Sequence, residues 1–376
     1  MKIWGITGTN GKTTTAWITA EFLRADPSRK CALITTVETD TLSRKLYTGY
    51  TTPPLATLKE LFAEMEANGA TDCVMEVSSH AIHQRRTGDT VFSGGAFTNL
   101  SEDHLDYHRT MEEYFSVKLS FAERIAAARW GEGVMPPPEL GRRDFPPYAV
   151  CLDGGMGREM FNAAGNLPLN VISVSAASPR FDLSGLKLAG DYNRSNVLLA
   201  SALAEAAGVS HETIQAVIPT LEPRWGRLEK VASRSDADVY VDFAHTPDGL
   251  AKVLEASRGF TSGKLWVVFG AGGDRDRTKR PLMGAAAESF ADEIIVTSDN
   301  PRSEDPSGII GDILAGIKVK KPRVEVDRRK AICLALSLAG KGDVVLVCGK
   351  GHETTQEIAG VKYPFDDREQ VRAFVR

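Results

Sequence analysis

A glycine-rich loop that ends in a lysine and two threonines lies near the start of the sequence. It follows the apolar run Ile3-Trp4-Gly5-Ile6 and reads Thr7-Gly8-Thr9-Asn10-Gly11-Lys12-Thr13-Thr14. Between a strand and a helix, such a loop aims backbone N–H groups and a helix N-terminus at one point, which favours a polyphosphate. Lys12 would neutralise phosphate oxygens, and Thr13 would coordinate Mg²⁺. The alternative is an ordinary turn that opens a helix, and Ile6 occupies the first glycine position of the common G-x-x-x-x-G-K-[ST] pattern.

Two further groups of polar residues follow apolar runs, where parallel strands would end. Glu76 closes the run Cys73-Val74-Met75, and a carboxylate at a strand end beside a phosphate loop is well placed to hold Mg²⁺. Metal-competent side chains, including His104, crowd the segment Phe97–His108. A lone histidine is more often structural, but clustering after a strand end favours a functional role.

Short β-type runs alternate with helical patterns along the chain, which predicts parallel sheets with crossover helices. The expected fold is α/β, with a P-loop-type ATPase domain over residues 1–222 and a doubly wound, Rossmann-like domain over residues 223–376. In the first domain we predict strands at Lys2–Thr7, Cys31–Thr36 and Asp72–Val77, and in the second at Val239–Phe243, Leu265–Phe269, Glu293–Thr297 and Asp343–Val347. The Gly/Pro-rich stretch 131–138 is interpreted as a surface loop.

Length, charge and cysteine content indicate the size of the domains, the kinds of partner and the compartment. The length of 376 residues fits two domains of ordinary size, and a net charge of −4 gives no indication of a nucleic-acid or anionic-membrane partner. The five cysteines are odd in number and scattered, which is typical of reduced thiols in a cytosol. Without a signal-peptide pattern or a long apolar stretch, we expect a cytoplasmic protein that does not span a membrane.

Taken together and in order, the motifs resemble the Mur ligase family, and within it the members that add meso-diaminopimelate during peptidoglycan synthesis. The matching segments are Thr7–Thr15, Thr51-Thr52, Met75–His80, Phe97–His108, Lys118, Gly190–Asn196, Gly226-Arg227, Val241–Pro247, Phe269–Pro281, Asp299–Arg302 and Gly349–Glu353. The resemblance implies an ATP-dependent amide ligase. A substrate carboxylate attacks the γ-phosphate of ATP, and the amino group of an amino acid then displaces phosphate from the acyl phosphate.

The resemblance also implies roles for individual residues around the nucleotide. The catalytic residues would be Lys12, Glu76, His104 and Lys118, and two Mg²⁺ ions would be held by Thr13, Glu76, His104 and a CO₂-derived carbamate on Lys118. Without that family context, Lys118 would be interpreted as a helix-surface lysine. The ATP-binding set would be Gly8, Thr9, Asn10, Gly11, Lys12, Thr13, Thr14, Asn193, Asn196, Arg227 and Asp242.

The two other substrates have their own implied sets. The acceptor would be bound by Thr51, Thr52, Ser78 and Arg86. The amino acid would be bound by Arg275, Asp299, Asn300, Pro301, Arg302, Gly349 and Glu353. Within this set, Arg302 would grip the far carboxylate of meso-diaminopimelate as a bidentate fork, which lysine cannot engage. The alternative for Asp299–Arg302 is a turn with a surface salt bridge.

One difference from the family leaves several hypotheses about the acceptor and the function open. Full-length relatives carry an N-terminal domain that binds the UDP part of the acceptor, and we expect it to be absent here. In that case the sequence is a fragment, or the protein uses an acceptor without a nucleotide, or a partner chain supplies the missing function. Without such a partner chain, we expect a monomer. The alternatives are a ligase of recycling or secondary metabolism with an acceptor without UDP, and an inactive nucleotide-binding scaffold. The intact metal set argues against the scaffold.

Overall fold

The computed structural model describes residues 1–131, 136 and 140–374, and the chain divides into two compact units. One unit contains Met1–Ser101 and His108–Leu221, and the other contains Glu102–Tyr107 and Glu222–Arg376. Each unit is built around its own largely parallel sheet with helices, which confirms the expected α/β class. The domain ranges 1–222 and 223–376 stay a prediction. The surface loop expected at 131–138 lies, apart from residues 131 and 136, outside the described residues.

The first unit has an eight-stranded sheet in which six adjacent strands are parallel. Its strands are β1 (Lys2–Thr7), β2 (Cys31–Ile34), β3 (Thr39–Asp40), β4 (Lys45–Leu46), β5 (Asp72–Glu76), β6 (Gly94–Phe97), β7 (Pro147–Cys151) and β8 (Asn170–Val174). They lie in the order β4-β3-β2-β5-β1-β6-β7-β8, and only β3 and β4 pair antiparallel to their neighbours. Strand β1 therefore lies between β5 and β6, and the segments that follow these three strands meet at one edge of the sheet.

The helices of this unit are α1 (Lys12–Arg24), α2 (Leu55–Ala67), α3 (Ser79–His83), α4 (Met111–Trp130), α5 (Gly157–Gly165), α6 (Asp191–Ala207) and α7 (His211–Val217). Single 3₁₀ turns occur at Arg142–Asp144 and Ile218–Thr220. Helices α1 and α6 pack against each other, and α1 is buried almost all round. Helix α4 places Phe121 in a core cluster with Ile3 of β1 and Tyr148 of β7. The side chains around the phosphate loop are thus carried by packed elements.

The second unit has a six-stranded sheet and a separate hairpin. The strands are β9 (Glu229–Lys230), β10 (Asp238–Asp242), β11 (Leu265–Phe269), β12 (Glu293–Val296), β13 (Arg323–Val324), β14 (Val344–Cys348), β15 (Thr355–Ile358) and β16 (Val361–Pro364). The sheet order is β13-β12-β11-β14-β10-β9, parallel except for β9, while β15 and β16 form the antiparallel hairpin. The helices are α8 (Pro247–Arg258), α9 (Lys279–Phe290), α10 (Pro306–Leu314), α11 (Arg328–Leu338) and α12 (Asp367–Ala373).

The core strands of the second unit explain why their following loops cluster. Strands β11 and β14 are buried at every residue, as expected for strands covered on both faces of a parallel sheet. The register pairs Asp242 with Cys348 and Phe269 with Val296, so the loops after β10, β14, β11 and β12 leave the same edge. The five cysteines are free thiols. Among the helices of the described residues, none is long and apolar enough to cross a bilayer.

Candidate active site

The phosphate loop connects β1 directly to α1 and needs glycine at two positions. Gly11 precedes the first residue of α1 with φ 83°, and no side chain caps the N-terminus of that helix. Gly8 has φ 143°, and a Cβ there would lie 1.8 Å from Thr98 Oγ1. A Cβ on Gly11 would lie 2.5 Å from Asn196 Oδ1. The backbone is therefore bare where the loop curves around the helix N-terminus, which fits an anion such as a nucleotide phosphate.

The segment after β6 holds this loop in place. The Thr9 amide donates to Asn99 O at 2.8 Å, and the Asn10 amide donates to Asn99 Oδ1 at 3.0 Å. Thr98 Oγ1 donates to Asn10 O at 2.6 Å. These bonds satisfy polar groups of the loop outside the helix terminus, so the loop is shaped before any ligand arrives.

Two lysines reach the same carbonyl oxygen of the loop. Lys12 Nζ donates to Gly8 O at 3.0 Å and to Thr9 O at 2.7 Å. Lys118 Nζ, on α4, donates to Gly8 O at 2.8 Å, and only 1% of the Lys118 side chain is exposed. The ring of Tyr114 lies 4.6 Å from Lys118 Nζ, and its hydroxyl lies 3.1 Å from Thr9 Oγ1. Lys118 is thus a buried residue at the phosphate loop and does not have the surface position that its sequence alone would favour.

The two asparagines predicted for ATP lie in the first unit, on α6. Asn196 Oδ1 accepts a hydrogen bond from Thr15 Oγ1 at 3.3 Å, and Asn196 Nδ2 donates to Asn193 Oδ1 at 3.3 Å. The packing of α6 on α1 therefore brings Asn196 beside the start of α1, while Thr13 and Thr14 are buried in the first turn of that helix. Seven of the predicted ATP-binding residues thus share one region with the two asparagines: Gly8, Thr9, Asn10, Gly11, Lys12, Thr13 and Thr14.

Glu76 ends β5 next to the loop and is connected to the residues predicted for the acceptor. Its carboxylate accepts from the Thr36 amide at 2.9 Å and from Thr36 Oγ1 at 3.3 Å. Thr36 Oγ1 is also 2.9 Å from Thr51 Oγ1, and Thr52 Oγ1 donates to Glu76 O at 2.9 Å.

The remaining two acceptor residues join the same group through Thr52. The Ser78 amide donates to Thr52 Oγ1 at 3.0 Å, and Arg86 Nη1 donates to Thr52 O at 3.4 Å. The four acceptor residues predicted from the sequence are therefore brought together beside Glu76. Thr52 is fully buried, while the half-buried Thr51, Ser78 and Arg86 form a polar surface with one guanidinium, which suits an anionic, hydroxyl-bearing ligand.

His104, the fourth predicted metal ligand, lies in the segment that groups with the second unit. Asp103 Oδ2 is 3.4 Å from His104 Nε2 and 3.9 Å from His245 Nε2, and Lys279 Nζ is 3.5 Å from Asp103 Oδ1. Burial alone would raise the pKa of Asp103, but the charges of these three neighbours hold it well below its usual range. Within residues 1–131, 136 and 140–374, no three His, Cys, Asp or Glu side chains converge to hold a metal ion.

Arg227 and Asp242 lie close together in the second unit. The Asp242 carboxylate accepts from the backbone amides of Leu228 at 2.6 Å and Ala244 at 2.7 Å. Burial raises the pKa of Asp242, and Arg227 opposes that shift. The Arg227 guanidinium lies over the Phe243 ring at 4.4 Å. Asp242 therefore also organises its own loop, a structural role that the sequence did not indicate.

The residues predicted for the amino acid meet at the loops after β12 and β14. Asn300 Nδ2 donates to Glu353 Oε2 at 2.8 Å, and a Cβ on Gly349 would lie 2.4 Å from Asp299 Oδ2. Arg302, which follows Pro301, donates from Nη1 to Gly273 O at 2.5 Å. Arg275 is exposed and donates from Nη1 to Asp274 O at 3.0 Å.

Sequence reasoning missed two residues of this pocket. Lys350 bonds to both Asn300 and Glu353, and Glu357 carries a carboxylate oxygen 3.8 Å from Arg302 Nε. The placement of Lys350 between Gly349 and Gly351 was an available signal, because glycines on both sides of a residue after a strand indicate close backbone packing.

Comparison with known proteins gives matches over both units. The model of the Mur ligase middle domain matches residues 6–130, and the model of the Mur ligase glutamate ligase domain matches residues 226–351. A UDP-N-acetylmuramoyl-L-alanyl-D-glutamate–2,6-diaminopimelate ligase from Bacillus licheniformis is 41% identical over 98% of this chain and 77% of its own length. The ligase of the same name from Aquifex aeolicus is 41% identical over 99% of this chain and 77% of its own length.

Comparison with solved structures gives matches to the same kind of ligase and to a protein of the same fold. A structure of a ligase with that name has 32% identity and a TM-score of 0.59, over 99% of this chain and 77% of that one. The Mycobacterium tuberculosis folylpolyglutamate synthase complexed with ADP shares the fold, with 18% identity and a TM-score of 0.66 over 93% of this chain and 87% of that one. The chain therefore belongs to the Mur ligase family of ATP-dependent acid–amino acid ligases.

Proposed function

We propose that this chain joins meso-diaminopimelate to the terminal carboxylate of a muramoyl-dipeptide acceptor in peptidoglycan synthesis. ATP would activate that carboxylate as an acyl phosphate, and the amino group of the amino acid would then displace phosphate. The observation that carries the proposal is the contact of Lys118 Nζ with Gly8 O at 2.8 Å. It joins the residue expected to bear a carbamate to the loop expected to hold the phosphates. The names of the relatives support the choice of substrates.

The phosphate loop would position ATP and stabilise the charge on the transferring phosphoryl group. The bare backbone at Gly8 and Gly11 and the uncapped N-terminus of α1 supply N–H donors and a favourable helix dipole. Lys12 Nζ now bonds to carbonyl oxygens of the loop, and in the complex its charge would face the phosphates. The protein would do little covalent chemistry, so its contribution is alignment and electrostatic stabilisation.

A carbamate on Lys118 fits the charges around the loop. Lys118 Nζ and Lys12 Nζ both bond to Gly8 O, so two cationic groups are held at one carbonyl. Carbamylation would convert the like-charge pair into an opposite-charge pair. The same step would add two oxygen atoms at a buried position that has no carboxylate of its own.

The donor set also fits Mg²⁺ by its chemistry. Thr13, Glu76 and a carbamate on Lys118 would provide oxygen atoms, which Mg²⁺ prefers, and Mg²⁺ commonly completes its shell with water and phosphate. Once bound, Mg²⁺ would neutralise charge on the phosphate oxygens. The Thr36 hydrogen bonds to Glu76 hold its carboxylate oriented at the strand end. His104 would be the remaining ligand.

The acceptor would be held by the polar group around Thr52. Arg86 would pair with an anionic group of the acceptor, and Thr51, Thr52 and Ser78 offer hydroxyl groups for hydrogen bonds. The amino acid would be held in the second unit, where Arg302 would bind its far carboxylate and Glu353 an ammonium group. Keeping water away from the acyl phosphate is the other requirement, because hydrolysis would waste ATP.

The experiment is an assay of ADP formation with purified protein, ATP, Mg²⁺, an acceptor with or without UDP, and meso-diaminopimelate or lysine. The proposal predicts sustained ADP formation, over many turnovers, that requires both the acceptor and meso-diaminopimelate, together with a product of the corresponding mass. Comparing acceptors with and without UDP decides between the peptidoglycan substrate and the smaller acceptors of recycling. We also propose a cytoplasmic location, because ATP and reduced thiols are found in the cytoplasm. The proposed oligomeric state is a monomer.

A further inference from the structure

Lys350 is a fully buried lysine inside the pocket proposed for the amino acid. It follows β14, and its side chain has no exposed surface. Lysine is among the residues that are almost never buried unless paired, since removing an ammonium group from water is costly. A buried lysine at this position therefore has to be compensated by its neighbours, and the identity of those neighbours indicates its role.

The ammonium group makes three hydrogen bonds, one for each of its protons. Lys350 Nζ donates to Asn300 Oδ1 at 3.1 Å, to Glu353 Oε2 at 2.9 Å and to Thr355 O at 2.7 Å. Two of these three partners are side chains predicted from the sequence to bind the amino acid. Lys350 thus links the loop after β12 to the loop after β14 through a single buried charge.

These bonds fix which way the Asn300 amide faces. Asn300 Oδ1 accepts from Lys350 Nζ and from the Glu357 amide, at 3.1 Å and 3.0 Å. Because both of these neighbours are donors, the carbonyl oxygen must face them and the NH₂ group must face the other way. Among the described residues, that NH₂ group donates to one partner, Glu353 Oε2 at 2.8 Å. Its second N–H is available to a ligand.

The Glu353 carboxylate is oriented in the same way. Among residues 1–131, 136 and 140–374, the hydrogen bonds that reach this carboxylate come from Lys350 Nζ and Asn300 Nδ2, and both end on Oε2. The side chain is 31% exposed, whereas that of Lys350 is fully covered. Lys350 therefore holds one carboxylate oxygen inside the protein and leaves Oε1 to accept a hydrogen bond from an incoming group.

We propose that Lys350 is a positioning residue of the amino-acid pocket, which presets the Glu353 carboxylate to accept from the ammonium group of the incoming amino acid and turns the Asn300 NH₂ group toward a hydrogen-bond acceptor of that ligand, such as a carboxylate. Lys350 itself touches no substrate and acts only through these two side chains. The inference rests on the proposed function for the identity of the ligand, while the preset orientation rests on the hydrogen bonds alone.

The test compares Lys350→Met and Lys350→Arg with the parent protein in the ADP-formation assay. Lys350→Met keeps an unbranched side chain of similar volume and removes the charge, so we expect the KM for meso-diaminopimelate to rise about 10- to 100-fold, the scale of a lost charged hydrogen bond. The KM values for ATP and for the acceptor should stay within about twofold, and kcat should fall less than the KM for the amino acid rises. Lys350→Arg keeps the positive charge, so its KM for meso-diaminopimelate should lie between that of the parent protein and that of Lys350→Met.

Lys341→Met is the matched control, because Lys341 is an exposed lysine of the same unit, and it should leave all three KM values unchanged. Equal changes in all three KM values of Lys350→Met, or an unchanged KM for the amino acid, would overturn the positioning role. If the parent protein itself forms no ADP with any amino acid, the proposed function fails, and a crystal structure of Lys350→Met still decides the inference. We expect the contact of Asn300 Nδ2 with Glu353 Oε2 to be broken, and an unchanged contact would refute the role.

Discussion

Lys118 Nζ lies 2.8 Å from the carbonyl oxygen of Gly8, so helix α4 and the phosphate loop meet although 110 residues separate them. The contact depends on the sheet order, which places β1 between β5 and β6, and on Phe121, which packs α4 into the core of the first unit. A buried cation on a loop that should bind an anion is the feature that distinguishes this site from an ordinary phosphate-binding turn.

Replacing Lys118 by alanine should abolish most ligase activity, because the proposed carbamate oxygens are lost next to the loop. Added short carboxylic acids should restore part of that activity by supplying the missing carboxylate. ADP formation with and without such acids measures both effects, with Lys341→Ala as a control at an exposed lysine. Full activity of Lys118→Ala in the absence of any added acid would remove the carbamate from the mechanism.

Gly11→Ala should weaken nucleotide binding and destabilise the first unit. The residue has φ 83°, and its new Cβ would lie 2.5 Å from Asn196 Oδ1, so both the backbone and α6 would have to move. We expect a loss of about 1–3 kcal/mol, the usual range for a strained backbone position. Gly165→Ala is the control, because a Cβ there meets nothing within 4 Å. Urea unfolding and titration with ADP measure the two effects; equal behaviour of the two variants would contradict the proposed strain.

Much of the first unit was predictable from local pattern. The predicted strand Lys2–Thr7 has the same bounds in the structure, and the predicted strand Asp72–Val77 ends one residue earlier, at Glu76. Continuous apolar runs between helical patterns identify parallel strands because both faces are covered. The two-residue strands β3 and β4 and the hairpin β15–β16 carry no such pattern, since their residues are partly exposed, and they were not predicted.

Arg302→Ala should raise the KM for meso-diaminopimelate about 10- to 100-fold while the KM for ATP changes little, because a bidentate hydrogen bond to a carboxylate is lost. The Arg302 side chain is 23% exposed, so it remains accessible to a ligand. The variant should also discriminate less between meso-diaminopimelate and lysine. Steady-state kinetics with each amino acid measure this, and Arg329→Ala at an exposed arginine of α11 is the control. An unchanged KM would refute the carboxylate-binding role.

His352 should make the second unit less stable in mild acid. Burial lowers the pKa of His352 from 6.5 to about 3, and the charges of Arg227 and Arg368 add to that shift. The pKa in the folded state is therefore below that in the unfolded state. Its contribution to stability is complete above pH 6.5 and is lost as the pH falls from 6.5 towards 3, since the unfolded chain takes up the proton first.

The expected slope is about 1.4 kcal/mol per pH unit within that window. Urea unfolding of the parent protein and of His352→Gln at about pH 7.5 and about pH 5 tests it, because only the parent should lose the contribution of this side chain. His211→Gln, at an exposed histidine, is the control. An identical pH dependence of the parent and His352→Gln would contradict the assignment.

Site residues could be predicted where the residue type itself indicates the chemistry. They could not be predicted where their role depends on a partner that is distant in sequence. Gly8, Lys12 and Thr13 lie within one short stretch of the sequence, so their shared role could be inferred directly. Lys350 could not be recognised in this way, because a lysine is expected at the surface and its partner Asn300 lies 50 residues away. The attachment of Glu102–Tyr107 to the second unit likewise depends on the Asp103 ion pair with Lys279, a long-range contact.

The central claim is that the chain couples the energy of ATP to an amide bond, and the most direct measurement is ADP release from the purified protein with each substrate omitted in turn. The mechanism predicts sustained ADP formation, over many turnovers, only when ATP, Mg²⁺, the acceptor and meso-diaminopimelate are all present, with one product molecule, identified by mass, for each ADP. The absence of ADP formation with every acceptor and amino acid tested, or ADP formation that needs neither of them, would contradict it.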